Sequence, residues 1–468
     1  MRVFLFVLAS LALAADHDWP TFHGINSSGV APDTGLPVEF GPDKNLVWKT
    51  ELPAGHSSPV LVGNRIYLTG YDKEGLYTFA LDRATGRILW RRQAPRPRVE
   101  KLHNSNSPAS PSAASDGKNV FVFFTDFGVL SYGPDGNERW RMALGPFNNP
   151  MGQGATPVLA GKTLLVPCDQ EAGSFFVALD KDTGKVKWRV ERPDFTRGFS
   201  TPILYKPKDG PLQALLAGSY KLVAYEVETG KEAWWVGGLT WQLKPTPVMD
   251  EEKIYVLGWA GEADPGQQEV IPEFREALDK FDADKDGKLQ KSELAADKKL
   301  EKSFGDLDLD GDGALGPRDW KMYQAKRQVV NGVNAFKLGG KGDMTGKSEV
   351  WKYEKSLPNV PSPLLYQGVV YLCKDGGILT ALDAKTGKVL KQGRITGAPG
   401  NYFTSPVAAD GKIFTISEEG KVAVIKPGAE WEVIRINDLN TPTHATPAIA
   451  DNGLYIRTDD ALYRFAAK

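Results

Sequence analysis

The chain has 468 residues, of which 41% are apolar and 25% are charged, and it contains 49 Gly and 32 Pro. This composition is that of a globular protein with many short strands and turns. The formal net charge of -1 at pH 7 provides no basic surface for nucleic acid, so we expect no nucleic-acid partner.

The first residues resemble a secretory signal peptide. Met1-Arg2 supplies a positive start, Val3 to Leu13 is apolar, and Ala12-Leu13-Ala14 is a small-residue cleavage site. The apolar run is shorter than the roughly 20 residues that a membrane-spanning helix needs, which disfavours a retained anchor. We therefore expect a signal peptide over residues 1–15, no membrane span, and a periplasmic or secreted protein without a lipid-anchor Cys.

Eight times along the chain, Ser-Pro or Thr-Pro precedes a short apolar strand. Successive prolines lie 41 to 52 residues apart, except that 116 residues separate Pro247 from Pro363. A fixed period of this length indicates one supersecondary unit built repeatedly, with a segment inserted in the long interval. The eight steps are Ser58-Pro59, Ser110-Pro111, Thr156-Pro157, Thr201-Pro202, Thr246-Pro247, Ser362-Pro363, Ser405-Pro406 and Thr446-Pro447.

A second pattern, Ala-x-Asp-x-x-Thr-Gly followed by Trp, lies later in the units. The clearest copies run from Ala80 to Trp90 and from Ala178 to Trp188, and looser copies run from Ala224 to Trp234 and from Ala381 to Leu390. Thr-Gly is typical of a hairpin turn in which Gly adopts positive φ, and the acidic residue accepts hydrogen bonds from turn amides. About four strands per unit predict a β-propeller, in which the Trp residues at 90, 140, 188 and 234 pack between blades.

The last unit ends without its Trp strand, and an unassigned strand, Leu46-Val47-Trp48-Lys49, precedes the first unit. We infer that this strand completes the eighth blade, which removes the open edge of the ring. The predicted fold is thus all-β: an eight-bladed β-propeller of four-stranded antiparallel blades closed by an N-terminal strand, with a small α-helical insertion in blade 5.

The insertion contains a twelve-residue loop with the spacing of an EF-hand calcium site. Asp282, Asp284 and Asp286 occupy positions 1, 3 and 5, the carbonyl of Lys288 is at position 7, and Glu293 is at position 12. Alternating carboxylates on a tight turn supply the oxygen ligands that Ca²⁺ prefers. Phe274 to Phe281 is a candidate entering helix because its apolar residues recur at helical spacing.

A second loop follows with the same spacing. Asp308, Asp310 and Asp312 are at positions 1, 3 and 5, the carbonyl of Ala314 is at position 7, and Asp319 is at position 12. The shorter Asp makes two-oxygen binding harder, so we expect weaker calcium binding or greater tolerance of Mg²⁺. A structural role for calcium is favoured over a sensor role, and an acidic loop that binds no metal is the alternative for each site.

These elements divide the chain into consecutive parts. The expected parts are a signal peptide (1–15), an N-terminal extended segment (16–45), the closing strand and blades 1–5 (46–262), an EF-hand pair (263–330) and the remainder of blades 5–8 (331–468).

The repeats resemble the PQQ-like β-propeller family, as does the opening Trp19-Pro20-Thr21-Phe22-His23-Gly24, and the insertion resembles paired bacterial EF-hands. The resemblance implies either a quinoprotein dehydrogenase or a non-enzymatic scaffold similar to the propeller component of the outer-membrane assembly machinery. Quinoprotein alcohol dehydrogenases carry an adjacent Cys pair, whereas the only cysteines here are Cys168 and Cys373. We therefore do not expect PQQ as a cofactor, and we favour a non-catalytic binding protein.

Five residues on loops before the strands define a second candidate site, at the mouth of the central channel. His56 and His444 belong to neighbouring blades 1 and 8, and His103, Arg197 and Tyr402 lie on corresponding loops. One interpretation is a pocket for a polar ligand or a metal. The other, which we favour, is a set of loop histidines that hydrogen-bond to the backbone. We assign no catalytic residue and expect a monomer that binds a protein or an extracellular polymer at the rim or mouth. A quinone-dependent oxidoreductase or hydrolase is the alternative.

Overall fold

The computed structural model describes residues 18–467 and contains short strands joined by turns, with three α-helices in the long interval between repeats. The predicted signal peptide lies outside the described residues. In the first half of the chain the strands are β1 (Leu46–Glu51), β2 (Val60–Val62), β3 (Arg65–Tyr71), β4 (Leu76–Asp82), β5 (Ile88–Ala94), β6 (Ala114–Ser115), β7 (Val120–Phe124), β8 (Gly128–Tyr132), β9 (Glu138–Ala143), β10 (Val158–Ala160), β11 (Thr163–Cys168), β12 (Phe175–Asp180), β13 (Val186–Glu191), β14 (Ile203–Tyr205), β15 (Gln213–Gly218), β16 (Lys221–Glu226) and β17 (Glu232–Gly237).

The second half contains the helices and the remaining strands. They are β18 (Val248–Met249), β19 (Lys253–Gly258), α1 (Phe274–Phe281), β20 (Leu289–Gln290), α2 (Lys298–Leu307), β21 (Ala314–Leu315), α3 (Pro317–Gln328), β22 (Gly332–Lys337), β23 (Gly342–Asp343), β24 (Glu349–Tyr353), β25 (Leu364–Tyr366), β26 (Val369–Lys374), β27 (Ile378–Asp383), β28 (Val389–Arg394), β29 (Val407–Ala409), β30 (Lys412–Ile416), β31 (Lys421–Lys426), β32 (Glu432–Asp438), β33 (Ala448–Ala450), β34 (Gly453–Arg457) and β35 (Ala461–Ala466).

The strands form eight blades, each a four-stranded antiparallel sheet, as predicted. Blades 1 to 8 are β2–β5, β6–β9, β10–β13, β14–β17, β18-β19-β22-β24, β25–β28, β29–β32 and β33-β34-β35-β1. The short strand β23 adds to blade 4 by pairing in parallel with β17. First strands of neighbouring blades contact one another, so they surround the axis, whereas last strands such as β5 alternate buried and exposed residues at the outside.

The first strands are also connected by a ring of hydrogen bonds around the axis, which we call the hydroxyl ring. From blade 1 to blade 8, the backbone N–H at the start of one first strand donates to the Ser or Thr hydroxyl oxygen of the next blade, which gives seven hydrogen bonds of 2.9 to 3.2 Å. The members are Ser58, Ser112, Thr156, Thr201, Thr246, Ser362, Ser405 and Thr446. Blade 2 differs from the sequence assignment: Ser112, not Ser110, occupies the ring position, so Ala113 stands where the other blades have Pro.

Between the blades, the indole of one blade covers the turn Gly of the next. Trp90, Trp140 and Trp188 each donate from Nε1 to a turn carbonyl of the following blade, at 2.8 to 2.9 Å. A Cβ on these turn glycines would lie under 3 Å from the indole, and their φ is positive, so a larger residue is disfavoured. The covered pairs are Trp48–Gly86, Trp90–Gly136, Trp140–Gly184, Trp188–Gly230 and Trp351–Gly387.

Trp234 departs from this pattern. It is fully buried, and its Nε1 donates to Gln213 Oε1 of its own blade at 3.0 Å. Gly346 is the corresponding turn glycine of blade 5, and a Cβ at this position would have no other atom within 4 Å. Strand β23 precedes this turn and pairs with β17, which places the turn beside the strand instead of under the indole.

The ring is closed by β1, as predicted, which pairs antiparallel with β35 and brings Trp48 opposite Arg464. The Trp48 ring packs on Gly86 of blade 1 and lies 5.9 Å from Tyr455 of blade 8. Thr50 Oγ1 donates to the carbonyl of Gly86 at 2.7 Å. The N-terminal strand therefore joins the last blade to the first.

The segment before β1 crosses the end of the axis at which the first strands finish. Trp19 forms a bridge with Leu61 of blade 1, and Val30 forms one with Ala408 of blade 7. Between them, the side chain of Asn26 exchanges hydrogen bonds with Leu204 of blade 4. This segment thus connects opposite blades and covers that end of the axis.

The helical insertion lies between β19 and β22, inside blade 5 as predicted. Asn331 joins its two ends: the side-chain amide donates to the carbonyl of Ala260 at 2.8 Å and to Asp264 at 2.9 Å, and its oxygen accepts from Ala260 N at 2.8 Å. Across residues 18–467, no helix combines the length and apolar character that crossing a membrane requires.

We predict that Trp48→Ala destabilises ring closure by about 2 kcal/mol, because it removes a large, partly buried side chain that spans two blades. Urea denaturation of the full chain measures this change. The control is Val47→Ala, whose side chain on the same strand is 48% exposed and should change stability by less than about 0.5 kcal/mol. Equal effects of the two substitutions would contradict the role of the indole in closure.

Candidate functional site

A cavity of about 410 Å³ lies on the axis at the end where the first strands begin. The hydroxyl ring surrounds the cavity, and the Ser and Thr residues of this ring are only 1 to 2% exposed. Phe22, from the segment that crosses the opposite end of the axis, is also part of the lining. The other lining residues are His56, His103, Ser105, Asn106, Ser110, Met151, Gly154, Phe199, Gln242, Lys244, Trp259, Asn359, Val360, Phe403 and His444.

His56 and His444 meet at this cavity, as the sequence assignment of neighbouring blades implied. Their rings stack, with centroids 4.3 Å apart and planes within 11°. His444 Nδ1–H donates to Asp459 at 2.9 Å, and Nε2 lies 3.5 Å from Glu418. The preferred expectation of backbone hydrogen bonds does not hold for His444, whose partners are carboxylates.

The two histidines differ in pKa because their surroundings differ. Burial and the neighbouring His444 lower the pKa of His56 to about 3. Burial also acts to lower the pKa of His444, but Asp459 and Glu418 outweigh it, so this pKa is raised above its usual value. The imidazole of His56, which is neutral, therefore stacks on the imidazole of His444, which binds a proton more readily.

Nitrogen and oxygen atoms of His56, His444 and Asp459 lie within 4.8 Å of one another, which is close enough for a metal site. However, a metal lies near the ring plane of each imidazole that binds it. The two rings are almost parallel, so their lone pairs do not converge on one point. In this arrangement the cluster consists of two stacked imidazoles, one of which, His444, is hydrogen-bonded to Asp459.

Of the remaining residues in the predicted mouth cluster, one lines the cavity and two do not. His103 lines the cavity, and its Nδ1 contacts the Ser105 hydroxyl at 2.8 Å. Arg197 instead pairs with Glu171 at 3.0 Å outside the cavity lining. Tyr402 is buried and donates to the Ala398 carbonyl at 2.7 Å, so it is a packing residue.

Sequence reasoning missed Lys244, which is the only Lys, Arg, Asp or Glu among the lining residues within 18–467. Its Nζ donates to Gln242 Oε1 at 2.8 Å and to Asn359 Oδ1 at 2.7 Å. Burial, reinforced by the charge of Arg197, lowers its pKa to about 7. Lys244 lies two residues before the ring hydroxyl of blade 5, the position that His56 and His444 hold in blades 1 and 8, so the register of the repeats was the signal that could have found it.

In the first predicted calcium loop, three of the predicted ligand residues lie close together. Oxygens of Asp282, Asp284 and Glu293 lie within 4.8 Å of one another. Gly287 has φ of 81°, as the sharp bend at position 6 requires. Asp282 Oδ1 is buried and has no hydrogen-bond partner among the described residues, which suits an oxygen that faces a cation. Asp286, by contrast, accepts from Lys288 N at 2.8 Å.

In the second loop, carboxylate oxygens of Asp308, Asp310 and Asp312, at positions 1, 3 and 5, lie within 4.8 Å of one another, and this cluster does not include Asp319. Asp319 accepts from Leu309 N and Gly316 N, at 3.1 and 3.0 Å, and burial raises its pKa. The two loops pair through β20 and β21, with Leu289 opposite Leu315, so position 8 of each loop meets the other. Lys288 of the first loop forms an ion pair of 2.7 Å with Asp312 of the second.

The helical insertion is attached to blade 3 on the face where the cavity opens. Arg318 Nη2 donates to the Glu171 carbonyl at 2.6 Å, and Lys321 pairs with Asp194 at 2.9 Å. Asn148, from the loop before blade 3, donates to the Leu309 carbonyl at 2.7 Å. Calcium-loop residues therefore contact the propeller directly.

The cysteines lie in separate blades: Cys168 ends β11, and Cys373 lies in β26. Both are buried and free, and burial raises the pKa of each thiol. Their surroundings suit small packing residues.

The family described as outer membrane protein assembly factor BamB matches this chain over residues 30–166, 126–206 and 176–468. The chain is 24% identical to the outer membrane protein assembly factor BamB of Burkholderia pseudomallei over 402 residues, covering 83% of this chain and 90% of that protein. BamB from Moraxella catarrhalis is similar in structure, with a TM-score of 0.55, 13% identity and coverage of 90% of this chain and 98% of that one. A europium-containing methanol dehydrogenase has a TM-score of 0.60 at 10% identity, covering 97% and 98%. At such low identity, the two structures share the fold alone with this chain.

We predict that Asp459→Asn lowers the pKa of His444, because it removes a negative charge that stabilises the imidazolium. An NMR titration of the five histidines measures the change. A pKa raised by folding means that the pair stabilises the protein fully below the unfolded value near 6.5 and ceases to do so as pH rises through the folded pKa.

Glu419→Gln is the matched control, because Glu419 is the exposed neighbour of Glu418. It should leave the titration of His444 unchanged. An unaltered pKa of His444 in Asp459→Asn would refute the electrostatic coupling.

Proposed function

Because the chain belongs to the outer membrane protein assembly factor BamB family, we propose that it is an exported, non-catalytic β-propeller that binds another protein through its cavity-opening face. The observation that carries this proposal is the composite surface on that face. There, the EF-hand pair is held against blade 3 by Arg318, Lys321 and Asn148. A periplasmic or secreted location follows from the signal peptide expected at residues 1–15.

We further propose that each EF-hand loop binds Ca²⁺ and that calcium stabilises this surface. In the first loop, Asp282, Asp284, Asp286, the Lys288 carbonyl and Glu293 would hold the ion. In the second loop, the corresponding ligands are Asp308, Asp310, Asp312, the Ala314 carbonyl and Asp319. Converging carboxylates and the unpartnered Asp282 Oδ1 support this assignment.

Calcium would act through the contacts that join the loops to the ring. Arg318 and Leu309 belong to the second loop, and both bond to the propeller. An ion that fixes this loop would fix the positions of both residues, which favours a structural role. Binding to the folded form also stabilises it in proportion to ligand concentration.

We predict that isothermal titration of the full chain with Ca²⁺ gives saturable heat and that Glu293→Gln removes the stronger site, because position 12 then loses a two-oxygen ligand. Asp319→Glu should tighten the second site by extending its reach. Glu276→Gln, on the exposed face of α1, is the control and should change neither site. No heat at millimolar calcium would refute calcium binding.

We also predict that a pull-down from envelope extract recovers one abundant protein and that Arg318→Ala weakens recovery, because the EF-hand pair loses one of its attachments to blade 3. Arg275→Ala, an exposed residue of α1, should recover the partner as the unchanged chain does. Turnover of an alcohol or sugar by the full chain with added PQQ would overturn the non-catalytic proposal in favour of a quinone-dependent oxidoreductase.

A further inference from the structure

The axial cavity contains a cation without a counter-ion. Lys244 is the one Lys or Arg in the described lining, which includes neither Asp nor Glu. Its two partners, Gln242 and Asn359, are neutral amides. A cation that loses water without gaining a negative partner is energetically costly, which is the physical reason for the lowered pKa of Lys244.

The hydroxyl ring adds hydrogen-bond donors to this positive charge. From Ser112 to Thr446, each ring oxygen already accepts a backbone N–H of the preceding blade. No acceptor within residues 18–467 is bonded to the hydroxyl hydrogens of the ring, so these O–H groups remain available as donors. A cavity with free donors and one ammonium group favours a ligand that supplies acceptors and negative charge.

The other lining residues indicate the rest of the ligand. Phe22, Phe199, Trp259 and Phe403 contribute aromatic rings, and Lys244 Nζ lies 5.8 Å from the Trp259 ring. A volume of about 410 Å³ is within the range of small-molecule sites, in which apolar walls surround a few polar groups. The segment that contains Phe22 covers the far end of the axis, so a ligand enters from the face that carries the EF-hand pair.

We propose that this cavity binds a small aromatic carboxylic acid, with the carboxylate bonded to Lys244 and hydroxyls of the ring and the aromatic body packed among the Phe and Trp rings. The site goes beyond the proposed scaffold function. It depends on neither the calcium loops nor the partner protein.

Calorimetric titration of the full chain at pH 6.5 with benzoate and with indole-3-acetate tests the site, and benzamide and indole-3-acetamide are the neutral counterparts. We expect each acid to bind at least about tenfold more tightly than its amide, since a hydrogen bond to a charged group contributes more than a neutral one. Equal affinity of acid and amide, or no saturable heat with either acid at millimolar concentration, would overturn the proposal.

Two variants locate the carboxylate. Lys244→Met should reduce acid affinity about tenfold, to that of the amide, because it removes the only fixed charge of the lining. Lys208→Met, at an exposed lysine in the loop before β15, should bind as the unchanged chain does. Persistent acid preference in Lys244→Met would refute the assignment.

The variant Gln242→Glu distinguishes a loss of acid binding from a loss of the folded structure. Gln242 Oε1 already accepts from Lys244 Nζ, so a Glu there supplies an internal counter-ion of the same shape. We expect this variant to lose the preference for acids while its thermal unfolding temperature stays the same or rises. If it retained the acid preference, the unpaired lysine would not be the carboxylate site.

Discussion

The hydrogen bonds of the hydroxyl ring are the constraint on which the rest of the propeller depends. A backbone N–H next to the axis cannot bond within its own blade, because the innermost strand has no strand on its inner side. Blades 1 to 7 instead each bond to a Ser or Thr hydroxyl of the next blade, as between Ser58 and Ser112 at 2.9 Å. This contact sets the distance between blades at the axis, and the indole-on-glycine contacts, such as Trp90 on Gly136, set it at the outside.

The same ring decides what the axial cavity offers to a ligand. Its oxygens are occupied as acceptors by the backbone, so the walls present hydrogen-bond donors, and Lys244 adds a positive charge. The N-terminal segment covers one end of the axis, and the insertion in blade 5 stands at the other. A structural requirement of the fold thereby produces a site with a defined chemical preference at the face that also carries the EF-hand pair.

In the helical insertion, contacts between residues close together in the sequence could be predicted, whereas contacts between residues far apart could not. The ligand positions from Asp282 to Glu293 lie within one twelve-residue loop, so their spacing predicted the clustering that the structure has. The pairing of Leu289 with Leu315 follows from the same local pattern. The contact of Arg318 with Glu171 joins residues 147 apart and has no sequence signal, because nothing in either segment specifies the other.

By itself, the sequence determined the eight blades, the closing role of Trp48, the position of the insertion and the calcium-type loops. Each of these depends on residues that recur at a fixed period or lie close together in the chain, where backbone geometry relates spacing directly to contact. Only the tertiary structure decided that Asp459 and Glu418 accompany His444, that Arg197 and Tyr402 lie outside the cavity, and that Lys244 lies in it without a counter-ion. Those arrangements depend on how loops from different blades converge at the axis, where neighbours in space are tens to hundreds of residues apart and no repeat specifies their identity.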